Sequence, residues 1–408
     1  MTSKEMAITF NAGSSTLKLG LFEIDRSARN TDGRAEFVSP PSATRVGRVL
    51  IDLHDEPPTL HLVEGPLALT RQMKSKVEAL NDLIDEVFET LSAHFRLQAV
   101  NVIGHRVVHG GGVFTAPTLL DDQRIEAITA LAPLAPLHQN QALRFVHAVR
   151  HLRPSLLQTA SFDTAFHASQ DDLVRRLAIP RALHDQGIKR YGFHGLSYKF
   201  IAAELRRRAP EVAAGMVVAA HLGSGASLCA LENGVSRDCS MGFSTLDGVP
   251  MATRPGWLDP GVVLHLIGER RQSLKDVEDM LYHQSGLLGV SAISADTREL
   301  LSDGGPEARQ AIDLFVLRIA GEIGRLSMTL GGLDAVVFTG GIGEHQPQIR
   351  AAVAKRLNWM GLLIDEPANA ANARLISRPE SRVAAFVIPT DEEQVIAEEA
   401  LSVLIEEI

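Results

Sequence analysis

The side chains of greatest chemical interest are three cationic groups in glycine-rich, largely apolar company. They are Arg106 in Gly104-His105-Arg106-Val107-Val108-His109-Gly110-Gly111, His194 in Tyr191-Gly192-Phe193-His194-Gly195, and Arg254. Arginine binds carboxylate or phosphate bidentately and keeps its charge at any working pH. Such groups suit phosphoryl transfer, in which charge gathers on the equatorial oxygens and the protein mainly positions and neutralises. For each arginine alone a structural ion pair competes with that role. A lone histidine beside phenylalanine is more often structural than catalytic. Asp163 closes an apolar run and precedes Thr164-Ala165-Phe166-His167. A carboxylate at the carboxyl end of a strand is a favoured catalytic position in α/β folds.

Three Gly/Ser turns could bring backbone N–H groups close to phosphate: Asn11-Ala12-Gly13-Ser14-Ser15, Gly223-Ser224-Gly225-Ala226-Ser227 and Gly340-Gly341-Ile342-Gly343-Glu344. None has P-loop spacing or the dinucleotide fingerprint, and a single turn of this kind is usually only a turn. Three at strand ends, with Lys18 just past the first, point to a nucleotide. His105 and His109 share a face at i and i+4, but no acidic third ligand stands nearby, so zinc is disfavoured. A hard cation fits better, near Asp391-Glu392-Glu393. The bland reading of that acidic run is helix-start chemistry with Thr390 as the cap.

The elements that must position these groups follow from hydrophobic spacing. Met6–Phe10 reads as a buried strand, with Leu17, Leu19, Leu21 and Ile24 on a returning one. Residues 25–70 read as edge hairpins and loops, and Ser75–Phe95 as an amphipathic helix. Ala99–Ile103 is a strand, with helices near 121–131 and 139–152. Leu156–Phe162, Gly215–Ala220, Leu228–Leu231, Ala335–Thr339 and Val383–Ile388 are further strands. Helical spacing dominates 260–283 and 307–330, with helices also near 346–360 and from Asp391 to Glu407. Ile8–Ser15 and Ala219–Gly225 repeat one plan of strand, Gly/Ser turn and return strand. Two such hairpins predict two related α/β domains facing a common cleft, with unrelated hairpins the competing reading.

Composition narrows the class. The chain has 408 residues, too many for one ordinary core, so two domains are expected. A net charge of −9 gives no footprint for nucleic acid or an anionic membrane. Cys229 and Cys239 form neither a disulfide framework nor a zinc set, which fits a reducing compartment. No run approaches the ~20 apolar residues that span a bilayer. Met6–Phe10 is too short for a signal sequence. A cytoplasmic protein is expected.

Together these segments resemble the acetate kinase family, within the superfamily of acetate and sugar kinases, heat-shock chaperones and actin. Further matching stretches are Arg190–Gly195, His221–Ser227, Ser240-Met241-Gly242-Phe243, Asp259-Pro260-Gly261, Ser285–Val290, Gly341–Glu344 and Ile388-Pro389-Thr390, in family order from residue 8 to 398. The resemblance implies a duplicated two-domain actin-like ATPase fold, ribonuclease H-like in each half, with an interdomain cleft. Residues 1–160 with a C-terminal helix at 395–408 would form one domain, and 161–394 the nucleotide-binding one. It also implies Asn11 and Glu392 as residues of a Mg²⁺ site (Mn²⁺ substituting), with Lys18 near the phosphates of ATP or ADP. Arg106 would bind the substrate carboxylate, and Val108, Leu137 and Phe193 its methyl group. Asp163, His194 and Arg254 would be catalytic. His221, Leu222, Gly223, Ser224, Gly225, Asp296, Thr297, Arg298, Gly341, Ile342, Gly343, Glu344 and His345 would bind nucleotide.

The activity implied is reversible transfer from ATP to acetate by a homodimer, with domain closure excluding water. Departures from the family pattern fall on the nucleotide rim and acyl pocket: Ser224 for Asn, Leu196 and Tyr198 for Thr and His, Thr297 for Phe, His345 for Asn, Asp391 for Asn, Thr245 for Pro, and Pro255-Gly256-Trp257 for a polar run. Propionate or another short acid therefore stays open as the acceptor, since one methylene decides only ~1–3 kcal/mol. A sugar kinase or a non-catalytic actin- or chaperone-like ATPase is disfavoured by Arg106, His194 and Arg254 together.

Overall fold

The computed structural model describes residues 5–13, 16–25, 41–95 and 100–406. They form two units, Met1–Ala165 with Asp391–Ile408, and Phe166–Thr390. The first holds strands β1 (Glu5–Ala12), β2 (Thr16–Asp25), β3 (Ser42–Asp52), β4 (Thr59–Glu64), β5 (Leu69–Gln72), β6 (Val102–Val107), β7 (Thr118–Leu119) and β8 (Leu157–Phe162), in the order β5-β4-β3-β2-β1-β6-β8-β7. The second holds β9 (Met216–Leu222), β10 (Ala226–Glu232), β11 (Val235–Cys239), β12 (Ala335–Thr339) and β13 (Ala384–Val387), in the order β11-β10-β9-β12-β13. In each sheet the central strand is antiparallel to its hairpin partner and parallel to the strand on its other side. The run β3-β2-β1-β6-β8 thus repeats as β11-β10-β9-β12-β13, the duplication expected from the paired hairpins.

In the first unit β1 is covered on both faces, which is why it reads as an unbroken apolar run. Ile8 and Phe10 pack with Leu83, Val87 and Phe88 of helix Leu80–Phe95 and with Phe145 and Val149 of helix Pro136–Leu152. Ala7, Phe22, Ile24 and Val102 instead meet Ala397, Ala400, Leu401 and Leu404 of helix Glu392–Glu406. Each large side chain so buried contributes about 1.5–3 kcal/mol. A Cβ on Gly104 would sit 2.6 Å from Ile396 Cγ2, so this helix lies closer to the sheet than any larger residue permits. That approach brings the start of the helix to the end of β1.

In the second unit, helix Gly195–Arg208 sets Tyr198, Ile201 and Leu205 on Val217, Ala219, Cys229 and Val337. Helix Pro306–Leu330 covers β9–β11 through a stripe that includes the buried Phe315, Ile319 and Ile323. Helical spacing over 260–283 resolves into two helices, Pro260–Gly268 and Leu274–His283, the second opened by a Ser273–Asp276 capping box. The run expected as a turn at 340–344 is a short helix, Gly340–His345. Gly340 begins it at φ +75°, where a Cβ would meet Leu222 O at 2.8 Å. Asp391, and not Thr390, caps the last helix: its carboxylate accepts from Gln394 N at 3.0 Å. The edge hairpins read over 25–70 appear as β3–β5, and residues 26–40 lie outside the described residues.

Candidate active site

Strand ends in the first unit gather an ionic cluster. Arg106, on β6, donates from Nε to Asp163 at 3.1 and 3.2 Å and from Nη2 at 2.6 Å, beside the end of β8. Its Nη1 donates to Asn11 Oδ1 at 3.1 Å and lies 3.8 Å from Glu392. Asn11, at the end of β1, donates from Nδ2 to both Glu392 and Glu393 at 2.8 Å. Burial would lower the Arg106 pKa, but Asp163, Glu392 and Glu393 outweigh it and hold the guanidinium raised and charged. Asp163 is 1% exposed while the Arg106 side chain is 15% exposed, so the arginine is the accessible member. The bonds to Asp163 and Asn11 use three of its five N–H groups. Lys18, exposed on β2, pairs across the hairpin with Asn11 and so stands on the same face. Val108 is buried just past β6. Leu137 belongs to helix Pro136–Leu152, and its side chain, like Ser14 and Ser15, lies outside the described residues.

Formal charge in this cluster is one positive against three negative, a balance that favours a cation. Among the described residues no group of three or more His, Cys, Asp or Glu is arranged to chelate a metal. Mg²⁺ needs no such cage: it takes one or two carboxylates and completes its shell with water and phosphate oxygens. The oxygen set of Asn11, Glu392 and Glu393 fits that habit. His105 and His109 take no part, since His105 bonds Gln158 at 2.8 Å and His109 Nδ1 accepts from Gly111 N at 2.9 Å.

The second unit carries the other charge-handling residues. Arg190 donates to Asp247 at 2.9 Å and to Cys239 O at 2.6 Å, fixing the start of the run to His194. Phe193 is buried, its carbonyl accepting from His167 Nε2 at 2.9 Å. His194 adopts a left-handed conformation (φ 56°, ψ 27°) at the start of helix Gly195–Arg208, strain of order 1 kcal/mol. Its ring stacks on His221, centroids 4.4 Å apart, and its Nδ1 lies 2.8 Å from Ser227 Oγ. Arg254 sits in a loop tied down by Leu287 N to Met251 O and Leu288 N to Ala252 O. Its Nη1 donates to Thr245 O at 2.8 Å. Burial lowers its pKa to about 10, against a smaller raising effect of Tyr282, and among the described residues no carboxylate acts on it. A Cβ on Gly225 would lie 2.7 Å from Arg254 Nη2 and 3.6 Å from His194 Nε2, so the two groups converge on that glycine.

Beside this pair is a pocket of about 480 Å³. Gly223 and Ser224 of the β9–β10 turn, Asp296, Thr297 and Arg298, and Gly341, Ile342 and His345 all line it. Three segments far apart in sequence therefore meet in one cavity. Asp296 holds Arg298 at 3.0 Å and caps helix Thr297–Asp303, and the bond from Arg298 is the main reason its own pKa is lowered. Leu222 is buried, and Gly343 packs behind the pocket wall against Phe338. Glu344 turns away, accepting from Gly340 N at 2.9 Å and Thr390 N at 3.2 Å. Ala252, Ala295 and Gln346 complete the lining and had no signal in the sequence. Glu393, part of the acidic run singled out in the sequence, joins Glu392 on Asn11. A larger pocket of about 780 Å³ in this unit is lined by Leu173, Trp257 and Leu317, with its acids and bases mostly paired, as in Arg190–Asp247 and Arg325–Asp238.

The acetokinase family model matches residues 6–398. An acetate kinase of Methylocella silvestris is 42% identical over 399 residues, 97% of each chain. One from Rhodopseudomonas palustris (strain TIE-1) is 50% identical over 78% of this chain and 80% of its own. Among solved structures, a propionate kinase of Francisella tularensis superposes with a TM-score of 0.87 at 30% identity, covering 98% of this chain and 99% of that one. Porphyromonas gingivalis acetate kinase gives 0.82 at 29%, covering 98% and 100%. Matched nearly end to end in sequence and fold, the chain belongs to the acetokinase family, actin-like α/β phosphotransferases that use ATP, a divalent metal and a carboxyl acceptor.

Proposed function

We propose that the chain transfers the γ-phosphoryl group of ATP reversibly to acetate, giving acetyl phosphate and ADP. Arg254 carries this reading: a largely enclosed guanidinium without a carboxylate partner among the described residues, converging with His194 on Gly225. A positive charge withdrawn from water is costly unless an anion answers it, and a transferring phosphoryl group is such an anion. Arg106, with two N–H groups not used by Asp163 or Asn11, takes the substrate carboxylate. Asp163 keeps that guanidinium oriented. A carboxylate oxygen then bonds to the γ-phosphorus as the bond to the β-phosphate oxygen breaks, and ADP leaves. His194 and Arg254 oppose the charge on the phosphoryl oxygens. The pocket at Gly223, Thr297 and Ile342 takes the nucleoside. Asn11, Glu392 and Glu393 would hold Mg²⁺ or Mn²⁺, which supplies charge neutralisation on the phosphates when bound.

The test is acyl phosphate formation trapped with hydroxylamine, with acetate, propionate and butyrate compared as kcat/KM. ATP hydrolysis independent of any carboxylate would overturn the reading. Propionate is the second acceptor to try, because a propionate kinase superposes at least as well as an acetate kinase. A cytoplasmic homodimer belongs to the same proposal. Helix Pro260–Gly268 is apolar yet has no buried residue, with Leu264 71% exposed, as a subunit interface requires. Sedimentation giving the mass of a single chain would remove the dimer.

A further inference from the structure

We propose that Tyr198 and Ser227 act as positioning residues that hold His194 as a neutral imidazole with its proton on Nε2. The functional half rests on the reading above, in which His194 faces the transferring phosphoryl group. Ser227 Oγ is wholly buried, 2.6 Å from Tyr198 OH and 2.8 Å from His194 Nδ1. A serine hydroxyl has one proton, so it can donate to only one of these neighbours. Tyr198 settles which.

The phenol is fully buried, and burial, reinforced by the thiols of Cys239 and Cys229, raises its pKa well above the ordinary value. It therefore keeps its proton. Among the described residues the side-chain acceptor in reach of that proton is Ser227 Oγ. If Ser227 donated to Tyr198 instead, the phenol proton would be left buried and unsatisfied, which is costly. The order is thus Tyr198 to Ser227 to His194 Nδ1. With Nδ1 accepting, the ring proton resides on Nε2.

The rest of the surroundings hold the ring in that pose. His221 stacks on it and is itself bonded to Ser197 Oγ through Nδ1 at 2.8 Å. Nε2 is on the side of Gly225, where Arg254 Nη2 converges. A neutral Nε2–H donor beside a charged guanidinium stabilises an anionic oxygen without placing two full positive charges together.

Long-range ¹H–¹⁵N correlation of the imidazole nitrogens tests the assignment, with His194→Gln identifying the resonances. In the wild type Nδ1 should carry the shift of an unprotonated, accepting nitrogen and Nε2 that of a protonated one. Tyr198→Phe and Ser227→Ala should each give averaged shifts of mixed tautomers, while Ser227→Thr keeps the wild-type signature. In the two disruptive variants kcat should fall roughly tenfold, with KM for ATP and acetate within about twofold. A wild-type His194 protonated on Nδ1, or tautomers unchanged in both variants, would overturn the proposal. Because either variant alone disrupts the chain of bonds, misfolding of one leaves the other as the test. Should His194→Gln retain full turnover, the catalytic reading of His194 and the functional half would fall, and the spectra would still decide the tautomer.

Discussion

Replacing Arg254 by methionine should separate stability from turnover more cleanly than any other substitution in the molecule. Burial brings the guanidinium's pKa down from its ordinary value to about 10. At roughly 1.4 kcal/mol per unit, keeping the charge in the folded state costs about 3 kcal/mol. Methionine removes that cost and also removes the bond to Thr245 O, worth about 1–3 kcal/mol. The two nearly cancel, so Tm should stay within about 3 °C of wild type or rise. Turnover should behave otherwise. Loss of one preorganised donor to a developing charge costs about 10²–10³ in kcat. Differential scanning calorimetry and the hydroxylamine trap, run on the same preparation, check both halves. A Tm lowered by more than about 6 °C with kcat intact would show Arg254 to be a structural prop and refute the reasoning.

Arg106→Met should do the reverse to stability, because it strands Asp163, Glu392 and Glu393 without their cation. The expected loss is about 3–5 kcal/mol. Urea denaturation measures it, and a loss below about 1 kcal/mol would contradict the charge argument. Acid should weaken the wild type through its buried histidines. His105, His109 and His167 each have a pKa lowered from 6.5 to about 4, with burial the leading cause. The unfolded chain takes up these protons as pH falls through 6.5, and the folded chain not until about 4. The stability they contribute is therefore whole above 6.5 and is lost on the way down to 4. With three groups the slope approaches about 4 kcal/mol per pH unit. His105→Gln should reduce it by about 1.4, and an equal slope in that variant would remove His105 from the account.

Much of this site could be read from the chain because its parts announce themselves in polar chemistry. An arginine among glycines, an aspartate closing an apolar strand and a pair of glutamates opening a helix are each unusual where they stand. The hairpin repeat was legible for a related reason, since strands buried on both faces leave apolar runs that turns interrupt. What stayed hidden is carried by residues with no local signal. Ala252 and Ala295 line the pocket at Gly223 and Thr297 only because backbone bonds from 285–288 fix one loop and the cap at Asp296 fixes the other. Ser227 meets Tyr198 across 29 residues of sequence, and nothing at either position announces that pairing. Glu344 stands in a nucleotide-like motif, and a second role was not legible there: its carboxylate holds Gly340 N and Thr390 N. Thr390 was a plausible cap by type, yet Asp391 supplies the acceptor for the last helix.

The helix Glu392–Glu406 also governs when the protein can be finished during synthesis. Phe22, Ile24 and Val102 have their apolar partners in Ala397, Leu401 and Leu404, made only after the whole of the second unit. Residues 166–390 form an uninterrupted stretch that can close as it leaves the ribosome. The amino-terminal sheet must meanwhile wait with one face open to water and chaperones. A nascent chain that stops short of the final helix would also lack the two glutamates that meet Asn11. Termination before this helix should therefore cost both the closing of the first sheet and the oxygen set proposed for the metal, so that such a chain offers the cell no working half-enzyme.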